Sequence, residues 1–301
     1  MTVRELIVKA GQYLKEKGIE DPSREAGLLL SWLLNKDLSH IYAHGDAVVG
    51  EDLAQSYFRL VERRGNFEPF AYITGQCEFM SLTFDVDRSV LIPRPETEIL
   101  AEAAVYALGG SLFRGNTSFY ENIRKLPPKP KYKGLDIGTG SGCIAISMLK
   151  YVKNLEMTAV DISDAALDIA RRNASRNRVE GRIEFVRADF LSENFDMKQK
   201  YDIIVSNPPY IPDGDILSLM PSVRDYEPHT ALNGGEDGLV FYRALAGKAH
   251  LLLEPGGILA VECGYGQSDQ IRRIFSEHNL ASLVLKDFSG INRVIIAMDK
   301  V

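Results

Sequence analysis

Short apolar runs alternate with amphipathic stretches along most of the chain, which is the pattern of a sheet covered by helices. Five runs have the length and apolar content of buried strands: 133–137, 157–161, 182–187, 201–206 and 258–262. Stretches between these runs, such as 143–150 and 239–253, show helical periodicity. Pro and Gly at 254–257 predict a turn before the fifth strand. The pattern predicts an α/β fold with crossover connections.

Two more β-rich runs, 282–287 and 293–298, close the sequence pattern. The link between them, 288–292, is too short for a crossover, so the two runs can pair only antiparallel. The expected sheet therefore has seven strands, mostly parallel, with an antiparallel C-terminal hairpin.

The N-terminal part reads as helices. Apolar residues recur at helical spacing from Leu6 to Leu14, and a capping stretch at 21–25 precedes a second helical run at 26–34. A third amphipathic stretch covers 51–61, and 77–90 alternates like a β-hairpin. We therefore expect a small helical domain at 1–76, a linking hairpin at 77–92 and a larger domain at 93–301.

Asn207-Pro208-Pro209-Tyr210 follows the fourth strand directly and is the most informative motif. Two prolines remove two N–H donors and stiffen the backbone, which leaves carbonyl oxygens available to a ligand. The Asn207 carboxamide adds an acceptor and two donors, and Tyr210 offers a ring for stacking. The motif predicts a site that holds a planar amide or amine, although a Pro-Pro pair is more often only a rigid loop.

A glycine-rich turn, 138–142, joins the first strand to a helix. Such a turn lets a ligand approach the backbone closely, but its G-x-G-x-G spacing differs from the dinucleotide fingerprint and weakens a pyrophosphate interpretation. Asp161 ends the second strand, where its carboxylate suits two ribose hydroxyls or caps the next helix. Asp189 and Phe190 follow the third strand and suit the edge and face of an adenine ring. Ligands of open α/β sheets bind at these strand ends.

Charge and composition narrow the function. The 301 residues carry 35 Lys+Arg against 41 Asp+Glu, a net charge of −6, which disfavours a partner with many phosphates. The most basic cluster, at 171–178, reads as a solvated helix face. No run is long and apolar enough to predict export or a membrane span.

Cysteine and histidine patterns predict no metal site. Cys77, Cys143 and Cys263 are widely spaced without a C-x-x-C pair, which fits a reducing cytoplasm. His40 and His44 could share a helix face, but no acidic or cysteine partner stands at ligand spacing.

The motifs together resemble a known family. The order of the motifs resembles that of class I S-adenosyl-L-methionine-dependent methyltransferases that act on an amide or amine. The motifs, in chain order, are Asp-x-Gly-x-Gly-x-Gly, a strand-end Asp, Ala-Asp-Phe and Asn-Pro-Pro-Tyr. Further stretches resemble the release factor glutamine methyltransferases and cover nearly the whole chain: 70–75, Ile92-Pro-Arg-Pro-Glu-Thr-Glu98, Glu227-Pro228 and Ala231-Leu-Asn-Gly-Gly-Glu-Asp-Gly-Leu239.

The resemblance implies roles for individual residues. The turn would hold the methionine part of S-adenosyl-L-methionine, Asp161 its ribose, and Asp189 with Phe190 its adenine. Asn207 would touch cofactor and substrate, with Asn207 and Pro208 catalytic and Pro209 and Tyr210 helping to seat a glutamine. The residues expected to bind the cofactor are Asp136, Gly138, Thr139, Gly140, Ser141, Gly142, Asp161, Asp189, Phe190 and Asn207. The residues expected to support the site are Arg94, Thr97 and Glu98.

The resembled family implies a substrate, the glutamine of a Gly-Gly-Gln tripeptide on peptide chain release factors, and a docking role for the helical head. We expect a cytoplasmic monomer without stable nucleic-acid binding or membrane association. Two other functions stay open: an amino-methyltransferase of DNA adenine or rRNA guanine, and a non-catalytic S-adenosyl-L-methionine sensor. The connection 109–133 is longer than the family pattern predicts.

Overall fold

The computed structural model describes residues 1–112, 118–195 and 199–300. Within the long connection 109–133, residues 113–117 lie outside the described residues. The chain forms two compact units, one made of Met1–Gly75 with Met220–Tyr226, the other made of the remaining residues from Gln76 onward.

The helices and strands have the following bounds. The helices are α1 (Val3–Glu16), α2 (Pro22–Leu34), α3 (Leu38–Ala43), α4 (Glu51–Gly65), α5 (Phe70–Thr74), α6 (Thr97–Ala107), α7 (Cys143–Tyr151), α8 (Asp164–Arg176), α9 (Pro221–Arg224), α10 (His229–Leu232), α11 (Val240–Leu252) and α12 (Ser268–Glu277). The strands are β1 (Gln76–Phe79), β2 (Leu82–Asp85), β3 (Tyr132–Ile137), β4 (Leu155–Asp161), β5 (Ile183–Arg187), β6 (Tyr201–Ser206), β7 (Leu253–Glu262), β8 (Leu280–Lys286) and β9 (Asn292–Asp299).

The first unit is helical, and its start is fixed by a capping box. The Thr2 hydroxyl accepts from the Glu5 N–H over 3.2 Å, while Glu5 accepts from the Thr2 N–H over 2.9 Å. The buried face of α1 repeats at helical spacing through Leu6, Ala10 and Leu14, which are 0% exposed. These residues form one apolar core with α2 and α4.

A short segment from far along the chain completes this unit. Residues 220–226, which include α9, cluster with the first 75 residues. The Tyr226 hydroxyl donates to the backbone carbonyl of Asn66 over 2.7 Å, directly after α4. A polar bond between residues this far apart in sequence was not predictable from either segment.

The second unit is built on a seven-stranded sheet in the order β5-β4-β3-β6-β7-β9-β8. Strands β3 to β7 pair parallel, whereas β9 pairs antiparallel with both β7 and β8. The predicted mostly parallel sheet with its antiparallel C-terminal hairpin is confirmed. The chain moves outward from β3 to β5 and then returns to the other side of β3 at β6, and this reversal opens a crevice at the strand ends.

Both faces of the sheet are covered, as a parallel sheet requires. Ile203 and Val205 of β6 belong to the core on one face, together with residues of α6 and α7. Ile204 lies between them in sequence and belongs to the core on the other face, with residues of α11 and α12. The alternation follows from the two-residue period of a strand.

A separate hairpin, β1 and β2, precedes the sheet. Its two turn residues, Met80 and Ser81, both have positive φ, 49° and 57°, as a two-residue hairpin turn of the mirror-image type requires. Asn173 of α8 is completely buried and binds the hairpin: it accepts from the Asp85 N–H and donates to the Asp85 and Ser141 carbonyls. The hairpin is therefore anchored beside the glycine-rich turn.

Strand β7 begins earlier than its apolar run predicts. Leu253 pairs with Tyr201, and the register then shifts before Ile203 pairs with Ile258. The residues between, including Gly256 with a φ of 77°, absorb the irregularity that the sequence pattern presents as a separate turn. Among the described residues, no helix is long and apolar enough to cross a bilayer.

Candidate active site

A cavity of about 620 Å³ lies in the second unit, where the carboxyl ends of β3, β4, β5 and β6 meet. Its volume is within the range of small-molecule sites. Its wall combines the predicted motifs with residues from other stretches, among them 89–97, 228–235 and the start of α11. The sheet topology therefore brings strand ends that are far apart in sequence to one crevice.

The glycine-rich turn after β3 has the backbone of a ligand cradle. Gly138, Gly140 and Gly142 have positive φ values of 71°, 53° and 80°, a region that favours glycine. A Cβ placed on Gly138 or Gly140 would meet no atom within 4 Å, and both residues line the cavity. The space in front of the turn is therefore open to a ligand that touches the backbone.

Asp136 lies below this turn and is completely buried. Its Oδ2 accepts from the Thr139 hydroxyl over 2.7 Å, whereas its Oδ1 has no hydrogen-bond partner among the described residues. Burial raises the pKa of Asp136 to about 7, against the lowering effect of the Thr139 hydrogen bond. Asp136 does not line the cavity, so its predicted contact with a cofactor stays a prediction.

Asp161 ends β4 and faces the cavity beside the turn. Its Oδ1 accepts from the Ser163 N–H over 3.0 Å and its Oδ2 from the Gly140 N–H over 2.9 Å. The N-cap of α8 is Ser163, whose side chain accepts from the Ala166 N–H, so Asp161 does not serve as the cap. Each carboxylate oxygen keeps acceptor capacity for further donors such as hydroxyls.

Asp189 and Phe190 line the next part of the cavity, after β5. Asp189 accepts from the Leu191 N–H over 2.9 Å, and Phe190 packs edge-on against Phe195 with ring centroids 5.0 Å apart. Lys248 of α11 holds this loop, since its Nζ donates to the Phe190 and Ser192 carbonyls over 2.6 and 2.8 Å. Sequence reasoning missed Lys248 because nothing in α11 indicates which loop it reaches.

Two apolar side chains of the cavity wall were also missed by sequence reasoning. Ile162 is 51% exposed and Leu191 is 38% exposed, and both line the cavity near Asp161 and Asp189. Apolar residues placed shortly after strand-end carboxylates were the available signal, since exposed apolar surface beside polar groups often marks a ligand contact.

Asn207, Pro208 and Pro209 line the cavity at the end of β6. The Asn207 Nδ2 donates to the Thr97 hydroxyl over 3.1 Å, and the Thr97 hydroxyl donates to the Glu262 carboxylate over 2.6 Å. Thr97 and Glu262 are each 2% exposed. Glu262, at the end of β7, was missed by sequence reasoning because only the sheet order brings its carboxylate to Asn207.

Tyr210 is held from behind and packs against apolar core residues of the α11 face. Its carbonyl accepts from the Gln267 Nε2 over 2.9 Å, and Gln267 Oε1 accepts from the Gly264 N–H over 3.0 Å. A Cβ on Gly238 would come within 2.3 Å of the Tyr210 carbonyl oxygen. The glycines of the 231–239 stretch therefore let the chain pack directly against the Asn-Pro-Pro-Tyr backbone.

The supporting residues of the 92–98 segment have separate contacts. Arg94 lines the cavity and pairs with Glu227 over 2.5 Å, where the Glu227 side chain is 1% exposed. The Glu98 carboxylate is directed toward the hairpin instead, where it accepts from the Met80 N–H of the hairpin turn over 2.7 Å. The segment is thus fixed at one end to the 227–228 stretch and at the other to the hairpin.

Comparisons with known proteins match both parts of the chain. Residues 5–75 match the PrmC N-terminal domain family and residues 96–224 the methyltransferase small domain family. The release factor glutamine methyltransferase of Clostridium acetobutylicum is 36% identical over 99% of this chain and 99% of its own length. The protein of the same name from Geobacter sulfurreducens is 37% identical over 98% of this chain and 95% of its own.

A solved structure supports the fold alone. The hMettl16 catalytic domain, solved in complex with the MAT2A 3′UTR hairpin 6, superposes with a TM-score of 0.54 at 14% identity, covering 83% of each chain. Identity above a third along essentially the full length, together with the two domain matches, goes beyond a shared fold. The chain belongs to the release factor glutamine methyltransferase family.

Proposed function

We propose that this protein transfers a methyl group from S-adenosyl-L-methionine to the side-chain amide nitrogen of the glutamine in the Gly-Gly-Gln motif of peptide chain release factors. The observation that carries the proposal is the shared cavity: Asn207 opens onto the same space as Asp161 and the glycine-rich turn. A nucleophile held at Asn207 and a cofactor held at the turn would meet there.

The described residues fit the cofactor in three places. The open backbone at Gly138 and Gly140 suits the methionine part. The Asp161 carboxylate suits the ribose hydroxyls, and Ile162, Asp189, Phe190 and Leu191 suit a flat aromatic ring. When bound, the cofactor supplies a methyl group on a sulfonium, which needs no further activation.

The protein contributes position and oriented dipoles. An amide nitrogen is a weak nucleophile because its lone pair is shared with the carbonyl. Holding that nitrogen at attack distance is worth up to ~7–11 kcal/mol. The Asn207 Oδ1 and the Pro208 carbonyl are the acceptors proposed for its two N–H groups, and both bonds strengthen as positive charge grows on nitrogen.

No general base is assigned. A carboxamide that gains a methyl group becomes acidic enough to release a proton to water. Among the described residues, no cluster of three or more His, Cys, Asp or Glu side chains could hold a metal ion.

The helical unit is proposed to receive the release factor, and its match over residues 5–75 to the PrmC N-terminal domain family supports this role. We also propose a cytoplasmic monomer without stable nucleic-acid binding. The three cysteines are free, which favours a reducing compartment, and the net charge of −6 disfavours a phosphate-rich partner. Light scattering after gel filtration tests the monomer directly.

Methyl transfer is tested with labelled S-adenosyl-L-methionine and, in separate reactions, a purified release factor, duplex DNA and ribosomal RNA. Label is expected on the release factor and absent when the glutamine of its Gly-Gly-Gln is replaced by glutamate. Label on nucleic acid alone would establish the amino-methyltransferase alternative. Cofactor binding without transfer to any of the three would establish the sensor alternative.

A further inference from the structure

Three buried or half-buried side chains form a continuous hydrogen-bonded row that ends at the cavity. Asn207 follows β6, Thr97 is the first residue of α6, and Glu262 ends β7. The distances are 3.1 Å from Asn207 Nδ2 to Thr97 Oγ1 and 2.6 Å from Thr97 Oγ1 to Glu262 Oε2. Three separate elements therefore converge on the side chain proposed to hold the nucleophile.

The row has a direction because its middle member has a single hydrogen. When Glu262 is ionised its carboxylate only accepts, so the Thr97 hydroxyl donates to it. Because its single hydrogen is donated to Glu262, the Thr97 hydroxyl can only accept a hydrogen bond from Asn207. Within the Asn207 carboxamide, only the Nδ2 can donate. The Oδ1 of Asn207, on the other side of the same planar group, is thereby directed away from Thr97.

Orientation of this amide decides which nucleophile fits. With Oδ1 toward the substrate, Asn207 accepts an N–H of a carboxamide and repels the oxygens of a carboxylate. If the Asn207 amide were reversed, its NH₂ group would face the NH₂ group of the substrate carboxamide, and both groups are donors. Sites built on a fixed donor and acceptor discriminate strongly, because the wrong partner leaves buried polar groups unpaired.

A carboxylate that is 2% exposed is expensive to bury unless it is hydrogen-bonded, as Glu262 is by Thr97. Burial raises the pKa of Glu262 to about 7, while the Thr97 hydrogen bond and the guanidinium groups of Arg293 and Arg94 lower it. The ionised form, which gives the row its direction, is therefore accessible near neutral pH.

We propose that Glu262 and Thr97 are positioning residues that fix the carboxamide of Asn207 with its oxygen toward the substrate, and so select an NH₂-bearing nucleophile. This inference rests on the proposed glutamine methylation. A purely structural role, in which the row only fastens α6 to β7, predicts a loss of stability without a selective loss of turnover.

The test compares Thr97→Val with Thr97→Ser in the full-length protein, using a purified release factor as substrate. Valine keeps the shape and removes the hydroxyl, so kcat is expected to fall ~10-fold or more while Kd for S-adenosyl-L-methionine stays within about twofold. Serine restores the hydroxyl and is expected to recover most of the lost kcat. Glu262→Gln, a near-isosteric change, is expected to lower kcat as well, since its amide can donate to Thr97 and reverse the row.

Thr158→Val is the matched control. Thr158 is 4% exposed, and its hydroxyl accepts from Tyr201 over 3.3 Å within the sheet, away from the cavity. It is expected to change thermal stability and leave kcat alone. If Thr97→Val and Thr158→Val lower stability equally and both keep full kcat, the positioning role is wrong.

A second readout needs no substrate and separates this inference from the proposed function. The Asn207 Nδ2 hydrogen bonded to Thr97 should exchange slowly with solvent in nuclear magnetic resonance spectra, and fast exchange is expected in Thr97→Val. Equal exchange in both proteins would overturn the inference even if the release factor is methylated. Slow exchange lost in the variant would support it even if another amide proves to be the substrate.

Discussion

The carboxylate of Asp161 accepts a hydrogen bond from the backbone N–H of Gly140 over 2.9 Å. This bond joins the end of β4 to the glycine-rich turn after β3, so one side chain both faces the cavity and fixes the loop beside it. The two parts of the proposed cofactor site are therefore coupled by a single contact.

Asp161→Ala is expected to weaken binding of S-adenosyl-L-methionine about 10- to 100-fold, because it removes the ribose acceptors and releases the turn. Calorimetric titration measures this directly. Asp164→Ala is the control, since Asp164 pairs with Arg187 at the surface, where both side chains are more than 60% exposed. Equal affinity in the Asp161 variant and the wild type would remove Asp161 from the site.

Asn207→Ala is expected to lower kcat by ~100-fold or more and to weaken cofactor binding only modestly, because it removes an acceptor needed at the reacting nitrogen. Single-turnover transfer to a release factor provides the rate. Asn154→Ala is a matched change, since the Asn154 carboxamide also donates one hydrogen bond, to the Lys129 carbonyl over 2.7 Å, but lies on the surface. Turnover unchanged in Asn207→Ala would exclude a catalytic role.

Gly238→Ala is expected to reduce kcat through the backbone of the Asn-Pro-Pro-Tyr loop. Gly238 has a φ of 73°, and an added Cβ would lie 2.3 Å from the Tyr210 carbonyl and 2.7 Å from Gln267 Nε2, so the loop must shift. Small misplacements of a reacting group can cost ~100-fold in rate. Gly181→Ala is the control, because a Cβ there meets nothing within 4 Å. Full activity in the Gly238 variant would show that the loop tolerates displacement.

The stability of the protein is expected to fall as pH rises from about 4.5 to about 7. The pKa of Glu262 is raised from 4.5 to about 7 chiefly by burial, so the folded state favours the protonated form. A group with a raised folded-state pKa stabilises the fold fully below its unfolded pKa, and this contribution is lost as pH passes its folded pKa. Asp136, also raised to about 7 by burial, has the same sign.

Melting temperatures from about pH 4 to about 8 test this, with Glu262→Gln as the comparison, because glutamine has no proton to lose over that range. The wild type is expected to lose more stability than the variant. Identical pH profiles would show that Glu262 does not titrate there. The charged and titratable groups coupled to Glu262 are Glu96, Arg94, Arg293, Tyr210, Tyr242, Cys143 and Cys263.

The fold was largely predictable because its strands are local patterns. The runs at 133–137 and 201–206 are short and largely apolar, as is typical of strands buried on both faces, and the short 288–292 link forces an antiparallel pair. The start of β7 was not predictable, since the pairing of Leu253 with Tyr201 across a register shift depends on the neighbouring strand.

The candidate site also has a part that was predictable from the sequence and a part that was not. Its cavity is lined by Gly138, Asp161, Phe190 and Asn207. Each of these residues follows or ends a predicted strand and could be recognised in the sequence by its residue type. Such residues are visible in sequence because the carboxyl ends of parallel strands must share one edge. Their roles toward cofactor and substrate remain predictions.

The sequence by itself determined the chemistry that is available and the strand ends at which it lies. The tertiary structure alone decided which distant side chains orient that chemistry: Glu262 reaches Asn207 through Thr97, Gln267 holds the Tyr210 carbonyl, and Lys248 holds the Phe190 loop. These contacts depend on strand order and on the packing of helices across the sheet. A hydrogen bond between residues more than 50 positions apart leaves no local pattern from which it can be inferred.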